Sequence, residues 1–282
     1  MIDLKGIICI TGASSGIGLA TALKLAREGF TVYAGTRQLQ RELETHKDIE
    51  NLHFLEMDVT KPDTLRQAFS AIEQRHGHLD VLFANAGYGF LKALGQASMQ
   101  EIKDVFETNF FGVIHTIQLA EPLLRKADAG YIIATSSVGG LVGQPLNEVY
   151  CASKFALEGL LESMATYYKP TFNIDITLLE PGAIATNFGS TVQRNIEETG
   201  GIPDDVYKPI ADAYLGTYAK RNTAPQTAES VAEVVLGLLQ METKPLRVRT
   251  SDAAEAFAAH KTAADPMGLE GTAKIRKLLL GL

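Results

Sequence analysis

The chain has 282 residues, 46% of them hydrophobic and 21% charged, with a formal net charge of -7. That length suits one large α/β domain better than two. Its 26 Lys and Arg are scattered rather than gathered in a stripe, and its six histidines fall in no zinc-like spacing, so nucleic acid, an anionic membrane surface and a catalytic metal are all excluded as expectations.

The first segment, MIDLKGIICITG, reaches an apolar run of only four residues before a glycine turn, too short for a signal-peptide core. No later stretch approaches the roughly 18 apolar residues of a membrane span. With Cys9 and Cys151 the only cysteines, a cytoplasmic protein with reduced thiols is expected. Short apolar runs then alternate with longer segments of helical period: IICI (7–10), TVYA (31–34), HFLEM (53–57), VLFA (81–84), YIIAT (131–135), IDITLLE (174–180) and LRVRT (246–250). Such alternation predicts an α/β fold of the doubly wound Rossmann type, a parallel seven-stranded sheet with helices on both faces. No internal repeat or linker divides residues 1–282, which predicts a single domain. Residues 187–225 break the rhythm with Gly200, Gly201, three prolines and Tyr207, Tyr214 and Tyr218, and read as an inserted helical substrate lid. Residues 252–282 form an alanine-rich C-terminal extension ending in KIRKLLLGL, which could cover a pocket, pack on a subunit or fray.

Directly after the first strand stands TGASSGIG, with Gly12, Gly16 and Gly18 opening a helix. Glycines there let backbone approach a pyrophosphate, and the helix N-terminus offers N–H groups and partial positive charge to it. The spacing is G-x-x-x-G-x-G rather than the commoner G-x-G-x-x-G. NAD-binding folds place an acidic residue at the end of the second strand to take the ribose hydroxyls. Here that place reads AGTRQ: no carboxylate repels a 2′-phosphate, and Arg37 can pair with it. NADP(H) is therefore expected in preference to NAD.

In YCASKFALEGL, Tyr150 and Lys154 stand four apart on one helix face. Holding a phenolate at neutral pH costs roughly 4 kcal/mol. An ammonium about 5 Å away, at an effective dielectric of ~20, supplies about 3 kcal/mol of that. The pair could thus exchange a proton with a substrate oxygen.

Together these residues resemble the short-chain dehydrogenase/reductase family over nearly the first two thirds of the chain. Thr11, Gly12, Ser14, Ser15, Gly16, Ile17 and Gly18 match its TGxxxGxG loop; Asp58 and Val59 match its adenine-contacting pair; Asn85, Ala86 and Gly87 match its N-A-G turn. The usual double asparagine is here Ala84 and Asn85, so a hydrogen bond assigned to the first must be replaced or lost. The resemblance gives Asn109, in the helical-period stretch VFETNFFGVIHTIQL, a part in holding a relay water. It selects Ser137, 13 residues before the tyrosine, over Ser136 as the serine that contacts substrate. It assigns Tyr150 as proton carrier, Lys154 as its partner and ribose holder, and Pro181, Gly182, Ile184 and Thr186 to the nicotinamide end. The stretches VGGLVGQP and NEVYCASKFALEGLLES look most like the 17-beta-hydroxysteroid and retinol dehydrogenase branch. These likenesses imply hydride transfer between nicotinamide and a small-molecule alcohol or carbonyl, an apolar substrate lined by Tyr88, Phe90, Leu141 and Val142, and a homodimer or homotetramer. Two other readings stay open: a 3-oxoacyl reductase whose mouth carries Arg194, Lys208, Lys220 and Arg221, and a non-catalytic NADP-sensing protein.

Overall fold

A computed structural model describes residues 6–186, 201, 203–219, 224–270 and 273. Its elements run β1 (Ile7–Ile10), α1 (Gly16–Arg27), β2 (Thr31–Thr36), α2 (Leu39–Thr45), β3 (Leu52–Glu56), α3 (Pro62–His76), β4 (Val81–Ala84), α4 (Met99–Phe106), α5 (Gly112–Leu124), β5 (Gly130–Thr135), α6 (Glu148–Phe172), β6 (Ile174–Glu180), β7 (Ile184–Ala185), α7 (Lys208–Ala219), β8 (Gln226–Thr227), α8 (Ala228–Gln240), β9 (Arg247–Arg249) and α9 (Asp252–Thr262). Each of the seven apolar runs forms a strand.

Those strands make one parallel sheet in the order β3-β2-β1-β4-β5-β6-β9. Because helices cover both faces, β1 and β4 are buried throughout, which is why they read as continuous rather than alternating apolar runs. Leu65, Phe69 and Ile72 of α3, Val113 and Ile117 of α5, and Leu157 and Leu161 of α6 join the core on one face. Ala22 and Leu25 of α1 and Val231, Val235 and Leu239 of α8 join the core on the other. The chain winds outward from β1 to β3 and then crosses back to β4 on the other side of β1. Connections leaving β1 and β4 therefore diverge, opening a crevice at the carboxyl ends of the strands.

Two features depart from the periodicity. A π-helical turn, Glu107–Phe111, separates α4 from α5 where the pattern predicts unbroken helix, and it carries Asn109 to complete burial. A two-stranded parallel pair, β7 with β8, joins Ile184 to Gln226. The stretch expected as a lid thus leaves and re-enters at one place, with α7 as its described helix. Arg194, Lys220, Arg221 and the terminal KIRKLLLGL lie outside the described residues, as does the Tyr218 side chain. Among the described residues no helix is long and apolar enough to cross a membrane.

Candidate functional site

The tips of β1, β4 and β5 are tied together beneath the crevice. Thr11 Oγ1 accepts from the amides of Asn85 (3.0 Å) and Ala86 (3.1 Å). Asn85 Nδ2 donates to the carbonyls of Thr11 (3.1 Å) and Gly12 (3.3 Å), and Asn85 Oδ1 accepts from Thr135 Oγ1 (3.0 Å). Gly12 has φ +66° and a Cβ there would lie 2.8 Å from Ala86 Cα, so only glycine serves.

A continuous cleft runs above this frame. It is lined by Gly12, Ser14, Ser15, Gly16 and Ile17 of the loop, by Arg37, Asp58 and Val59 at one end, by Asn85, Ala86 and Gly87 in the middle, and by Tyr150, Lys154, Pro181, Gly182, Ile184 and Thr186 at the other. Tyr88, expected on the substrate side, and Ser136, set aside in favour of Ser137, also line it, as do Thr36, Met57, Thr60, Thr108 and Thr135, which were not singled out from the sequence. Thr11 and Gly18 lie behind the lining: Thr11 ties the frame, and a Cβ on Gly18 would press on the Gly12 carbonyl at 2.4 Å.

The residues present fit a dinucleotide cofactor. The first turn of α1 holds no acidic residue and Ser15 spends no side-chain bond on capping it, so the loop and the helix end form an anion cradle. At the far end, burial pushes the Asp58 carboxyl up, but hydrogen bonds from Thr60 and the charges of Lys61 and Arg37 outweigh that and hold it below the ordinary range. Arg41 reaches the Ser14 carbonyl at 3.4 Å while its Nε pairs with buried Glu42 at 2.7 Å.

At the other end α6 presents Tyr150 and Lys154 side by side, 9% and 3% exposed. Lys154 Nζ donates to the Thr135 carbonyl (2.8 Å) and stands 5.9 Å from the centre of the Tyr150 ring. Burial pulls Lys154 down to about 8, opposed by the charge of Glu158. Ser137 heads a short 3-10 turn, Val138–Gly140, and its Oγ accepts from the Gly139 amide at 3.0 Å. A Cβ on Gly139 would lie 3.2 Å from Tyr150 Cε1 and 3.4 Å from Ser137 Oγ, so the two side chains flank one point. Asn109 sits beneath: its Nδ2 donates to the Tyr88 carbonyl (2.9 Å) and Ser153 Oγ (3.3 Å), and its Oδ1 accepts from the Tyr88 amide (3.0 Å). It clamps the turn after β4 onto the helix that carries Tyr150 and Lys154.

One group of residues behind the site escaped sequence reasoning. Glu158, one turn beyond Lys154, and Glu180, just before Pro181, are buried against the half-buried Arg247 and Arg249 of β9. Burial pushes both carboxyls up; in Glu180 the neighbouring Glu158 charge adds to the rise. Four charges scattered over 90 positions carry no local signal. Of the basic residues weighed for a carrier-protein mouth, Lys208 is described and pairs with Asp212 at 2.8 Å.

The family model described as short chain dehydrogenase matches residues 6–197. Retinol dehydrogenase 8 of Bos taurus is 35% identical over 279 residues, covering 95% of this chain and 88% of its own. A 3-ketodihydrosphingosine reductase of Bacteroides thetaiotaomicron is 41% identical over 209 residues, 74% of this chain and 73% of its own. Among solved structures, a short chain dehydrogenase/reductase from Burkholderia phymatum in complex with NAD superimposes with a TM-score of 0.78 at 24% identity, covering 94% of this chain and 96% of that one.

Proposed function

The chain belongs to the short-chain dehydrogenase/reductase family, whose members oxidise alcohols or reduce carbonyls, and from that premise we propose that it is an NADP(H)-dependent oxidoreductase of apolar secondary alcohols and ketones or aldehydes. The observation that carries the proposal is the meeting of Ser137 and Tyr150 at one point, with Lys154 beside the tyrosine. A bound nicotinamide would supply the hydride. Gly12 to Ile17 would hold its pyrophosphate, Lys154 its ribose, and Pro181, Gly182, Ile184 and Thr186 its reactive end. Ser137 donates to the substrate oxygen as charge develops there. Tyr150 gives that oxygen a proton in reduction and takes one in oxidation, while the Lys154 ammonium favours the phenolate.

The phosphate form rests on the chain's own residues. Arg37 faces the cleft with no carboxylate at the end of β2, which supports NADP(H); the NAD-bound neighbour shares only the fold. An apolar substrate is supported by the wall beside Tyr150, where Phe90, Val105, Val149 and Cys151 pack with Tyr88, whose phenol burial pushes up to about 12. Retinol and ketodihydrosphingosine, named for the two relatives, are both long apolar molecules with one reacting oxygen. Residues 187–225 would cover that substrate as a lid, and the exposed Phe111 and Phe155, 44% and 43% accessible, are the seam proposed for a homodimer or homotetramer.

The deciding experiment is a turnover screen with NADPH and NADP⁺ over retinoids, steroids, 3-keto sphingoid bases, 3-oxoacyl thioesters and simple aldehydes, run beside Tyr150→Phe. Turnover on the apolar members that falls by about 10²-fold or more in the variant is expected. Unchanged turnover refutes the tyrosine as acid, and none in the wild type favours a cofactor sensor.

A further inference from the structure

Helix α7 lies against the entry to α6 along a seam whose α6 side holds an unfavourable backbone conformation. Tyr207, just before α7, sits where a Cβ on Gly95 would be, 2.3 Å from its hydroxyl. Gln96 Nε2 donates to Asp205 Oδ2 at 2.8 Å beside it. Ala93, Leu146 and Ala211 close the seam with Leu91, Tyr207 and Tyr214. Leu146 holds φ +62°, a region that leucine rarely enters, and does so buried beneath α7 with its carbonyl accepting from the Lys92 amide at 2.7 Å. Asn147 follows at the N-cap of α6, three residues before Tyr150.

Asparagine is among the best N-caps because its side-chain oxygen accepts from the amides of the first turn. Here Asn147 makes no such bond. Its side-chain Nδ2 donates instead to the Pro145 carbonyl (2.8 Å) and to the hydroxyl of Tyr214 on α7 (3.1 Å). A residue suited to hold the helix of Tyr150 and Lys154 is turned away from it to hold α7.

We propose that Asn147 is a positioning residue with two alternative partners, Tyr214 when α7 is docked and the first turn of α6 when α7 lifts, so that movement of the substrate cover is transmitted to the helix end bearing Tyr150. Docking gives up a helix cap and keeps Leu146 in its unfavourable conformation; lifting restores the cap and frees the leucine. The balance between these states, rather than rigid packing, then sets how α7 responds to a substrate beneath it. The inference rests on the reading of α7 as part of a substrate cover.

Hydrogen exchange on the ligand-free full chain tests it without turnover, so it stands or fails apart from the assigned reaction. Tyr214→Phe keeps the ring and removes the hydroxyl. Amides of α7 should exchange faster, while those of residues 148–150 should exchange more slowly, about fivefold at most, as Asn147 returns to cap them. A contact that merely stabilised both segments would speed both, and that result, or no change at 148–150, overturns the proposal. Asn147→Ser supplies the second arm, because serine caps a helix but is too short to reach Tyr214. It should show the same opposed signs, and faster exchange at both segments would also overturn the proposal. With an active substrate from the screen, both variants should raise KM severalfold more than they lower kcat.

Discussion

Lys154 shows in one side chain how stability is set against function. It is 3% exposed, and burial brings it down from 10.5 to about 8, so the folded chain holds an ammonium that water would solvate better. Folded protein releases this proton more readily than unfolded, hence the residue costs stability below about pH 8 and the cost is relieved as pH rises toward 10.5. Lys154→Met should abolish turnover yet stabilise the ligand-free protein at pH 7 by at most about 3 kcal/mol, less the bond to Thr135. In urea unfolding the gap between variant and wild type should close between pH 8 and 10.5; a variant less stable at pH 7 contradicts this account. Arg37 offers a second residue-scale test. Arg37→Gln should weaken NADPH binding by about 10- to 100-fold and leave NADH nearly unchanged, measured by fluorescence titration.

At the scale of elements, the seam between α3 and the sheet is predicted to weaken at low pH. Tyr33 on β2 pairs with His76 at the end of α3 (2.8 Å), and the His53 ring of β3 lies 5.2 Å from the Tyr33 ring. Burial, aided by Arg75, holds both histidines below their ordinary range. The folded chain therefore binds fewer protons, so this seam's stability is whole above about pH 6.5 and is lost as pH falls below it. Thermal unfolding should show a steeper decline from pH 6.5 to 5 in the wild type than in His53→Phe; parallel curves would remove α3 as the cause. The helices and strands themselves were legible to different degrees. The central strands follow from apolar runs because burial on both faces favours apolar residues there, whereas β9, RVR, is half-buried and carries two arginines. The π turn was not legible, because one extra residue shifts the phase within a pattern that still reads as helix. The β7–β8 pair is too short, at two residues each, to carry a period.

Across the whole molecule, what sequence disclosed best was whatever recurs at fixed spacing along the chain. The glycine loop, the asparagine turn and Tyr150 with Lys154 all line one cleft because each sits at the carboxyl end of a strand or the start of the next helix. The Glu158, Glu180, Arg247 and Arg249 group was invisible because four residues of the most exposed types are brought together only by the pairing of β6 with β9 and the contact of α6 with Arg247. Assembly is the remaining prediction at this scale. Phe155→Arg and Phe111→Arg should each shift the sedimentation of the protein toward a monomer while leaving its circular dichroism intact, and an unshifted oligomer would move the seam elsewhere.

The ties among Thr11, Asn85 and Thr135 also bear on redesign. They fix the cradle with the chain's own atoms, so the floor of the cleft is built before any nucleotide arrives and little ordering remains to be paid on binding. On the proposed reading, cofactor preference would be a matter of the rim, where Arg37 lies, and could be edited without rebuilding the frame. A single exchange such as Arg37→Asp becomes a modular change, portable to other chains that carry the same threonine and asparagine ties.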